Sequence, residues 1–198
     1  MRDFYNAVEN RRSIYALSKE STVSDDKLKE ILEHAIKHTP SAFNSQSTRF
    51  VLLTGKEHDR LWDIAMNALK PIVPADQFSS TEEKINSFKA GYGTVLYFED
   101  LSIVEGLQQS FPLYKDNFPV WAQQSNGMHQ YVVWTALELE GLGVSLQHYS
   151  ELIEAEVKKA WGLNDSWKLI AQMPFGKPVA GPSEKEFNSL EERVKIFK

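Results

Sequence analysis

The sequence has no cysteine among its 198 residues. Disulfides, thiolate metal sites and a cysteine nucleophile are therefore excluded, and the composition fits a cytoplasmic protein. Basic residues are also few: 22 Lys and Arg stand against 27 Asp and Glu, and the formal charge of −5 argues against a general nucleic-acid binder. Residues 117–137 lack formal charge but carry several Gln, Asn and His side chains, so no membrane span is expected.

Several catalytic motifs are also missing. There is no P-loop and no Gly-x-Ser-x-Gly elbow, so a serine hydrolase has no support. Gly141-Leu-Gly143 follows a predicted helix and has Leu146 where a Rossmann fingerprint has its third glycine, so we interpret it as a helix stop. His34 and His38 are one helical turn apart, but no third ligand is apparent and no metal site is predicted.

The length of 198 residues predicts a single domain over residues 1–198, or one domain with an extended tail, and the order of predicted helices and strands indicates an α+β protein. Strands are expected at 50–53, 94–98, 144–147 and 167–172, too few and too far apart for a doubly wound parallel sheet. Ser24 is a plausible helix N-cap, and Ser80 with Glu83 has capping-box spacing. Helices are expected over residues 3–9, 25–38, 56–69, 81–90, 100–110, 120–140 and 151–161.

Two segments fall outside this pattern. Residues 111–119 form an irregular aromatic stretch that could act as a flap, and residues from about 174 to 198 read as an extended C-terminal arm ending in a helical turn. The helix at 120–140 is apolar nearly all round, which predicts burial on all sides. A subunit interface is a good candidate for the extra cover.

Three polar clusters are candidate site residues. Arg11, Arg12 and Ser13 offer guanidinium forks and a hydroxyl that match phosphate oxygens, although two adjacent arginines can also be a solvated surface pair. The loop at residues 41–46 carries short donors and amides. Gln147-His148-Tyr149 follows a short apolar strand, where either a site or a hydrogen-bonded strand end would fit.

Taken together, five segments resemble the nitroreductase family of FMN-dependent oxidoreductases, in particular its short branch of fatty-acid-repression-mutant-like proteins. Their order and spacing span nearly the whole chain. Two features depart from the pattern of many members: Tyr15 replaces a third basic residue, and Ser47-Thr48 replaces Pro-Trp. The matching segments are Asn10–Leu17, Pro40–Gln46, Ser125–Gln130 with Trp134, Gly141–Tyr149, and Met173–Lys177 with Glu184–Phe187.

The resemblance implies an α/β/α sandwich with a central mixed or antiparallel sheet. It also implies an intertwined homodimer with a long buried central helix, an extended arm and two FMN sites at the interface. Arg11, Arg12 and Ser13 would hold the FMN phosphate, and Ser41, Asn44 and Gln46 would reach the flavin from the partner subunit. The other side of the ring would be covered by Leu146, Gln147 and His148, and Lys185 would complete the phosphate site, with Lys177 and Arg193 as alternatives.

The implied activity is a ping-pong reaction in which NADH or NADPH reduces FMN and a small-molecule acceptor, such as a nitroaromatic or quinone, is then reduced. No catalytic side chain is needed because the flavin carries the chemistry, and His148 has at most a minor role as a proton donor. One alternative is a flavin-binding regulatory or stress-response protein with little turnover. Another is a helical interaction domain without a cofactor.

Overall fold

The structure is a computed structural model that describes residues 4–198. Within these residues the chain forms seven α-helices and five β-strands. The helices are α1 (Phe4–Asn10), α2 (Asp25–His38), α3 (Gly55–Leu69), α4 (Phe78–Lys89), α5 (Leu101–Ser110), α6 (Asn117–Leu139) and α7 (Ser150–Trp161). The strands are β1 (Leu17–Ser18), β2 (Thr48–Thr54), β3 (Gly93–Asp100), β4 (Gly143–Val144) and β5 (Trp167–Pro178), and two short 3-10 helices lie at Ala42–Asn44 and Pro112–Tyr114.

The strands form one antiparallel sheet in the order β1-β5-β3-β2, with β4 also paired to β5. The central strand, β3, is buried at all eight positions. Its side chains alternate between two cores because successive residues of a strand face opposite sides of the sheet. Val95 and Tyr97 pack with α2 and α6, whereas Leu96 and Phe98 pack with α3, α4 and α7. The α+β sandwich expected from the sequence is therefore confirmed.

A β-bulge in β5 shifts this alternation. Tyr97 pairs with Ala171 and the next residue, Phe98, pairs with Leu169, which leaves Ile170 as the extra residue. Leu169 consequently joins the core on one face of the sheet, while Ala171 joins the core on the other.

Several predicted boundaries are wrong. The capping box fails because α4 begins at Phe78, whose ring packs on the second core, and the Ser80 hydroxyl donates to the Gln77 carbonyl from inside the helix. β4 covers only Gly143–Val144, and Gln147 forms a separate bridge. The arm starts at Val179, not near residue 174, because the last residues of β5 pair with β4 and β1.

The aromatic stretch at 111–119 is shorter than expected. A 3-10 turn at Pro112–Tyr114 is followed by α6, which already begins at Asn117. Pro119 is tolerated in the first turn because the first N–H groups of a helix have no partner within the helix. The predicted helix at 3–9 is found at Phe4–Asn10, with its expected first residue, Asp3, outside the described residues.

The long helix α6 is only partly buried within one chain. Asn126, His129, Val133 and Leu137 are buried. Complete burial of α6 is thus not achieved within the chain itself, because its opposite face exposes Val120, Met128, Tyr131, Val132 and Leu139. None of the helices over residues 4–198 is long and apolar enough to cross a membrane.

Candidate functional site

The Arg11-Arg12-Ser13 cluster lies at the end of α1 and beside β4. The Arg11 N–H donates to the Ala7 carbonyl at 3.1 Å, which closes the last turn of the helix. Ser13 forms a parallel bridge with Val144, and the Ile14 N–H donates to the Val144 carbonyl at 2.9 Å. The cluster and the segment that follows β4 are therefore neighbours, although they are far apart in the sequence.

The cluster lines a pocket of about 270 Å³. Its walls combine three cationic side chains with hydroxyl-bearing residues, and two of the lining residues belong to the arm. The Arg12 Nη2 donates to the Ser183 carbonyl, which ties the arm to the cluster. The Arg11 guanidinium lies 4.5 Å from the ring centroid of Trp134 on α6. The lining residues are Arg11, Arg12, Ser13, Tyr15, Ser183 and Lys185.

Of the three basic residues considered for the arm, Lys185 reaches this pocket. The Lys177 Nζ lies 2.8 Å from Glu20 Oε2, and its backbone N–H donates to the Glu20 carbonyl, so Lys177 is engaged at the β1 edge. Arg193 lies in the terminal turn, where its N–H donates to the Leu190 carbonyl. Guanidiniums, an ammonium and a hydroxyl around a small pocket suit a phosphate group.

The residues after β4 divide into two groups. Gln147 exchanges backbone hydrogen bonds with Gln172 at 2.7 and 2.9 Å, and Leu146 packs on the core between the sheet and α6. Both lie within three residues of Val144, the neighbour of Ser13. His148 is exposed and lines a different depression with Gln123 and Lys168, so the structure does not bring it to the arginine pocket.

The loop at 41–46 has a strained backbone. Phe43, Asn44 and Gln46 have φ angles of 56°, 51° and 49°, in the left-handed region that costs a non-glycine residue on the order of 1–2 kcal/mol. The Ser41 hydroxyl accepts the Gln46 N–H at 3.0 Å, and the Ser41 carbonyl accepts the Asn44 N–H at 3.0 Å. The side chains of Asn44 and Gln46 remain exposed.

Aromatic packing anchors this loop on the first half of α6. The Ser125 hydroxyl donates to the Pro40 carbonyl at 3.0 Å. The Phe43 ring, itself half exposed, has its centroid 4.9 Å from that of Phe111 and 5.2 Å from that of Phe118. It also stacks on Trp121 with 19° between the planes.

Within one chain, this loop and the arginine pocket are separate. The loop contacts α6 at Ser125 and the pocket contacts it at Trp134, nine residues or roughly 13 Å further along the helix. Ser41 and Gln46 instead line a groove of about 470 Å³ between α2 and β2. The lining of this groove includes the apolar side chains of Leu32, Ile36, Phe50 and Leu52.

Behind the loop lies a polar network that sequence reasoning missed. Glu99 Oε2 accepts hydrogen bonds from Asn126 Nδ2 at 3.0 Å and from the Thr48 hydroxyl at 3.2 Å, and all three residues are buried. Burial raises the pKa of Glu99, against hydrogen bonds from Ser47, Asn126 and Thr48 that lower it. The available signal was a pair of acidic residues at the end of a strand rich in β-formers.

An ion pair beside this network was missed as well. Arg49 Nη2 lies 3.1 Å from Asp100 Oδ2. Burial raises the pKa of Asp100, but hydrogen bonds from Ser102 and Ser166 and the charge of Arg49 outweigh it and hold that pKa below its usual value. An arginine directly before the predicted strand at 50–53 was the sequence signal for this pair.

The comparisons with known proteins agree with this fold. The model of the nitroreductase family matches residues 8–177. The chain therefore belongs to the nitroreductase family and is an oxidoreductase. The nitroreductase FRM2 of Saccharomyces cerevisiae (strain ATCC 204508 / S288c) is 36% identical over 187 residues, which cover 93% of each protein.

Two solved structures of nitroreductase CinD from Lactococcus lactis are similar over 99% of this chain and 100% of CinD. The complex with chloramphenicol has 42% identity and a TM-score of 0.91, and the complex with 4-nitrophenol has 43% identity and a TM-score of 0.90. A chain from Desulfovibrio desulfuricans solved in complex with FMN shares the fold, with 20% identity, full coverage of both chains and a TM-score of 0.73. The resemblance inferred from the sequence is thus confirmed.

Proposed function

We propose that this protein is an FMN-dependent oxidoreductase that uses NADH or NADPH to reduce nitroaromatic, quinone or similar acceptors, and that it works as a cytoplasmic homodimer whose whole chain is one domain. The observation that carries the proposal is the pocket formed by Arg11, Arg12, Ser13 and Lys185 beside the segment that follows β4. Membership of the nitroreductase family supports the reaction class.

The residues of this pocket fit the phosphate of FMN. Arg11 and Arg12 supply forked donors, Ser13 supplies a hydroxyl and Lys185 adds a point charge. Leu146 and Gln147 follow the strand that touches Ser13, so they would cover one side of the flavin ring. His148 faces another depression, which makes a role in protonating the product less favoured.

A homodimer would bring the second half of the site to this pocket. In one chain the loop at 41–46 lies too far along α6 to share the pocket with Arg11. Ser41, Asn44 and Gln46 would then contact the flavin held by the other copy, as the resemblance to the family implies. The exposed apolar residues of α6 and those of the arm, which include Phe187, Ile196 and Phe197, support an extensive contact between copies.

When bound, FMN would supply the redox chemistry, accepting a hydride from NAD(P)H and, after the nicotinamide leaves, passing electrons to an acceptor in the same cleft. The chain itself would bind and orient the flavin and would exclude water from the cleft. Phe43 and Trp121 offer stacked aromatic surface beside the loop, which suits a flat aromatic acceptor. The structure of CinD in complex with 4-nitrophenol is consistent with a flat aromatic acceptor.

The test is the visible absorption spectrum of the purified protein, followed by anaerobic addition of NADH or NADPH. A flavin spectrum that bleaches, with turnover of a nitroaromatic acceptor, is the expected result. A flavin that stays oxidised would favour a binding or regulatory protein with little turnover. A protein that remains colourless after reconstitution with excess FMN would overturn the proposed cofactor.

A further inference from the structure

The carbonyl of Gln46 is held by a side chain from the following strand. Arg49 Nη1 donates to the Gln46 carbonyl at 2.7 Å and to the Thr48 carbonyl at 3.1 Å. Gln46 is one of the residues in the left-handed region, so the hydrogen bond acts at a strained point of the backbone. A guanidinium suits this position because its planar donors can engage two carbonyls and a carboxylate at the same time.

The Arg49 side chain is itself held in place by a carboxylate at the end of the neighbouring strand, β3. Its Nη2 lies 3.1 Å from Asp100 Oδ2. The other carboxylate oxygen, Oδ1, accepts hydrogen bonds from the Ser102 N–H at 3.2 Å, the Ser102 hydroxyl at 2.7 Å and the Ser166 hydroxyl at 2.8 Å. The guanidinium also lies 5.8 Å from the ring centroid of Trp167. Arg49 therefore has little freedom to rotate away from the loop.

The strain in the loop indicates that the direction of its side chains matters. Glycine would adopt the same angles without steric cost, yet the chain has Phe43, Asn44 and Gln46 at these positions. Strained backbone of this kind persists where the surrounding structure holds it, and it concentrates at binding sites. Asn44 and Gln46 are exposed, so their side chains are free to meet a ligand or a second copy.

We propose that Arg49 is a positioning residue for the cofactor: the Arg49–Asp100 pair fixes the Gln46 carbonyl and so holds Asn44 and Gln46 in the direction that grips the FMN of the second copy. This inference rests on the proposed function, since it takes FMN as the ligand and a homodimer as the assembly. It extends that function, because Arg49 belongs neither to the arginine pocket nor to the loop itself.

The first experiment measures FMN binding by Arg49→Met, with Arg60→Met as the matched control. Arg60 also pairs with a carboxylate, Glu57 at 3.5 Å, and lies 5.3 Å from the ring of Trp161, but it makes no contact with the loop. We expect Arg49→Met to raise the FMN dissociation constant at least tenfold and to alter the visible circular dichroism of the bound flavin. Arg49→Lys should restore part of the affinity, and Arg60→Met should match the wild type.

A second variant separates loss of positioning by Arg49 from misfolding of the Arg49→Met protein. Asp100→Asn keeps Arg49 but weakens its anchor, so we expect a smaller change in the same direction. Wild-type FMN affinity and dichroism in Arg49→Met would overturn the role of Arg49 alone, and so would an equal loss in Arg60→Met. A wild-type protein that binds no FMN would overturn both the cofactor assignment and this inference.

Mixed dimers test whether Arg49 acts across the interface. In a dimer of one Arg49→Met subunit and one Arg12→Ala subunit, action across the interface leaves one site with an intact pocket and an intact loop. We expect half of the sites to bind FMN with wild-type affinity. Two weakened sites per mixed dimer would show that the loop acts within its own subunit and would overturn the inference.

Discussion

At the scale of single residues, His58 is held neutral by its surroundings. Burial lowers its pKa from 6.5 to about 4, against partial compensation by the backbone of Lys89. The Trp62 Nε1–H donates to the Thr94 hydroxyl at 3.1 Å, which leaves that hydroxyl to donate to His58 Nδ1 at 2.9 Å. The His58 Nε2–H then donates to the Lys89 carbonyl at 3.2 Å. In this arrangement one ring proton is enough to give both ring nitrogens of His58 a hydrogen-bond partner.

The free energy of unfolding should therefore fall in mild acid. Because the folded pKa of His58, about 4, lies below the unfolded value of 6.5, the unfolded chain binds the proton first as the pH drops. The contribution of His58 is fully present above pH 6.5 and is lost down to about pH 4, by on the order of 3 kcal/mol in total.

Urea unfolding at several pH values across this range would measure the effect. His58→Gln keeps a donor for the Lys89 carbonyl but cannot titrate, so its stability should depend less steeply on pH than that of the wild type. Parallel curves for the two proteins would refute the role of His58.

Gly176 is required for a different reason. A Cβ at this position would meet the Ser18 carbonyl oxygen and would lie 2.9 Å from the Tyr92 nitrogen, both of them backbone atoms that cannot rotate away. We expect Gly176→Ala to lower the free energy of unfolding by about 1–3 kcal/mol through overpacking. Gly181→Ala, where a Cβ has nothing within 4 Å, is the control. Equal urea midpoints for both variants would contradict the prediction.

At the scale of elements, Asn126 joins α6 to the central strand. It is fully buried, and its Nδ2 donates to the Phe98 carbonyl at 3.2 Å as well as to Glu99. Its Oδ1 accepts a hydrogen bond from Gln130 Nε2 at 2.8 Å. Asn126→Ala should cost about 2–3 kcal/mol, because buried partners would be left without hydrogen bonds. Thermal unfolding would measure the loss, with the exposed Gln124→Ala on the same helix as control; a loss no greater than that of the control would argue against this tie.

The helices and strands also show how much of the fold could be predicted from the sequence alone. The spacing of Leu28, Ile31, Leu32 and Ala35 predicted α2 correctly, because amphipathic periodicity is a local property. The start of α4 and the end of β5 were wrong, because they depend on Phe78 packing on the second core and on pairing with distant strands. Local sequence patterns do not predict contacts between residues that are far apart in the chain.

The candidate site likewise contains residues that the sequence predicted and residues that it did not. The chemistry of Arg11, Arg12 and Ser13 was readable from residue types, and family resemblance supplied Lys185 as a partner. Neither route found Arg49 and Asp100, since their ion pair joins residues brought together by strand pairing between β2 and β3. The separation of the loop from the arginine pocket could not be predicted either, because it depends on where each of them contacts α6.

At the scale of the whole molecule, the exposed side of α6 predicts self-association. We expect the wild type to sediment with twice its chain mass of 22.6 kDa. Val132→Lys places a charge among Met128 and Tyr131 on that side and should shift the protein toward the monomer and weaken FMN retention. Leu152→Lys, on the exposed side of α7, is the control. A monomeric wild type, or an unchanged Val132→Lys dimer, would contradict the prediction.

The position of β5 has a consequence for how the protein is made. The central strand β3 ends at Asp100, yet one of its two edges is covered only by residues 167–178. During synthesis a ribosome-bound chain therefore carries an apolar strand with one open edge until residues 167–178 have emerged. Such strands pair readily with other nascent chains. We expect fragments that end before residue 167 to aggregate or to require a chaperone, whereas the chain extended to Pro178 can close its sheet.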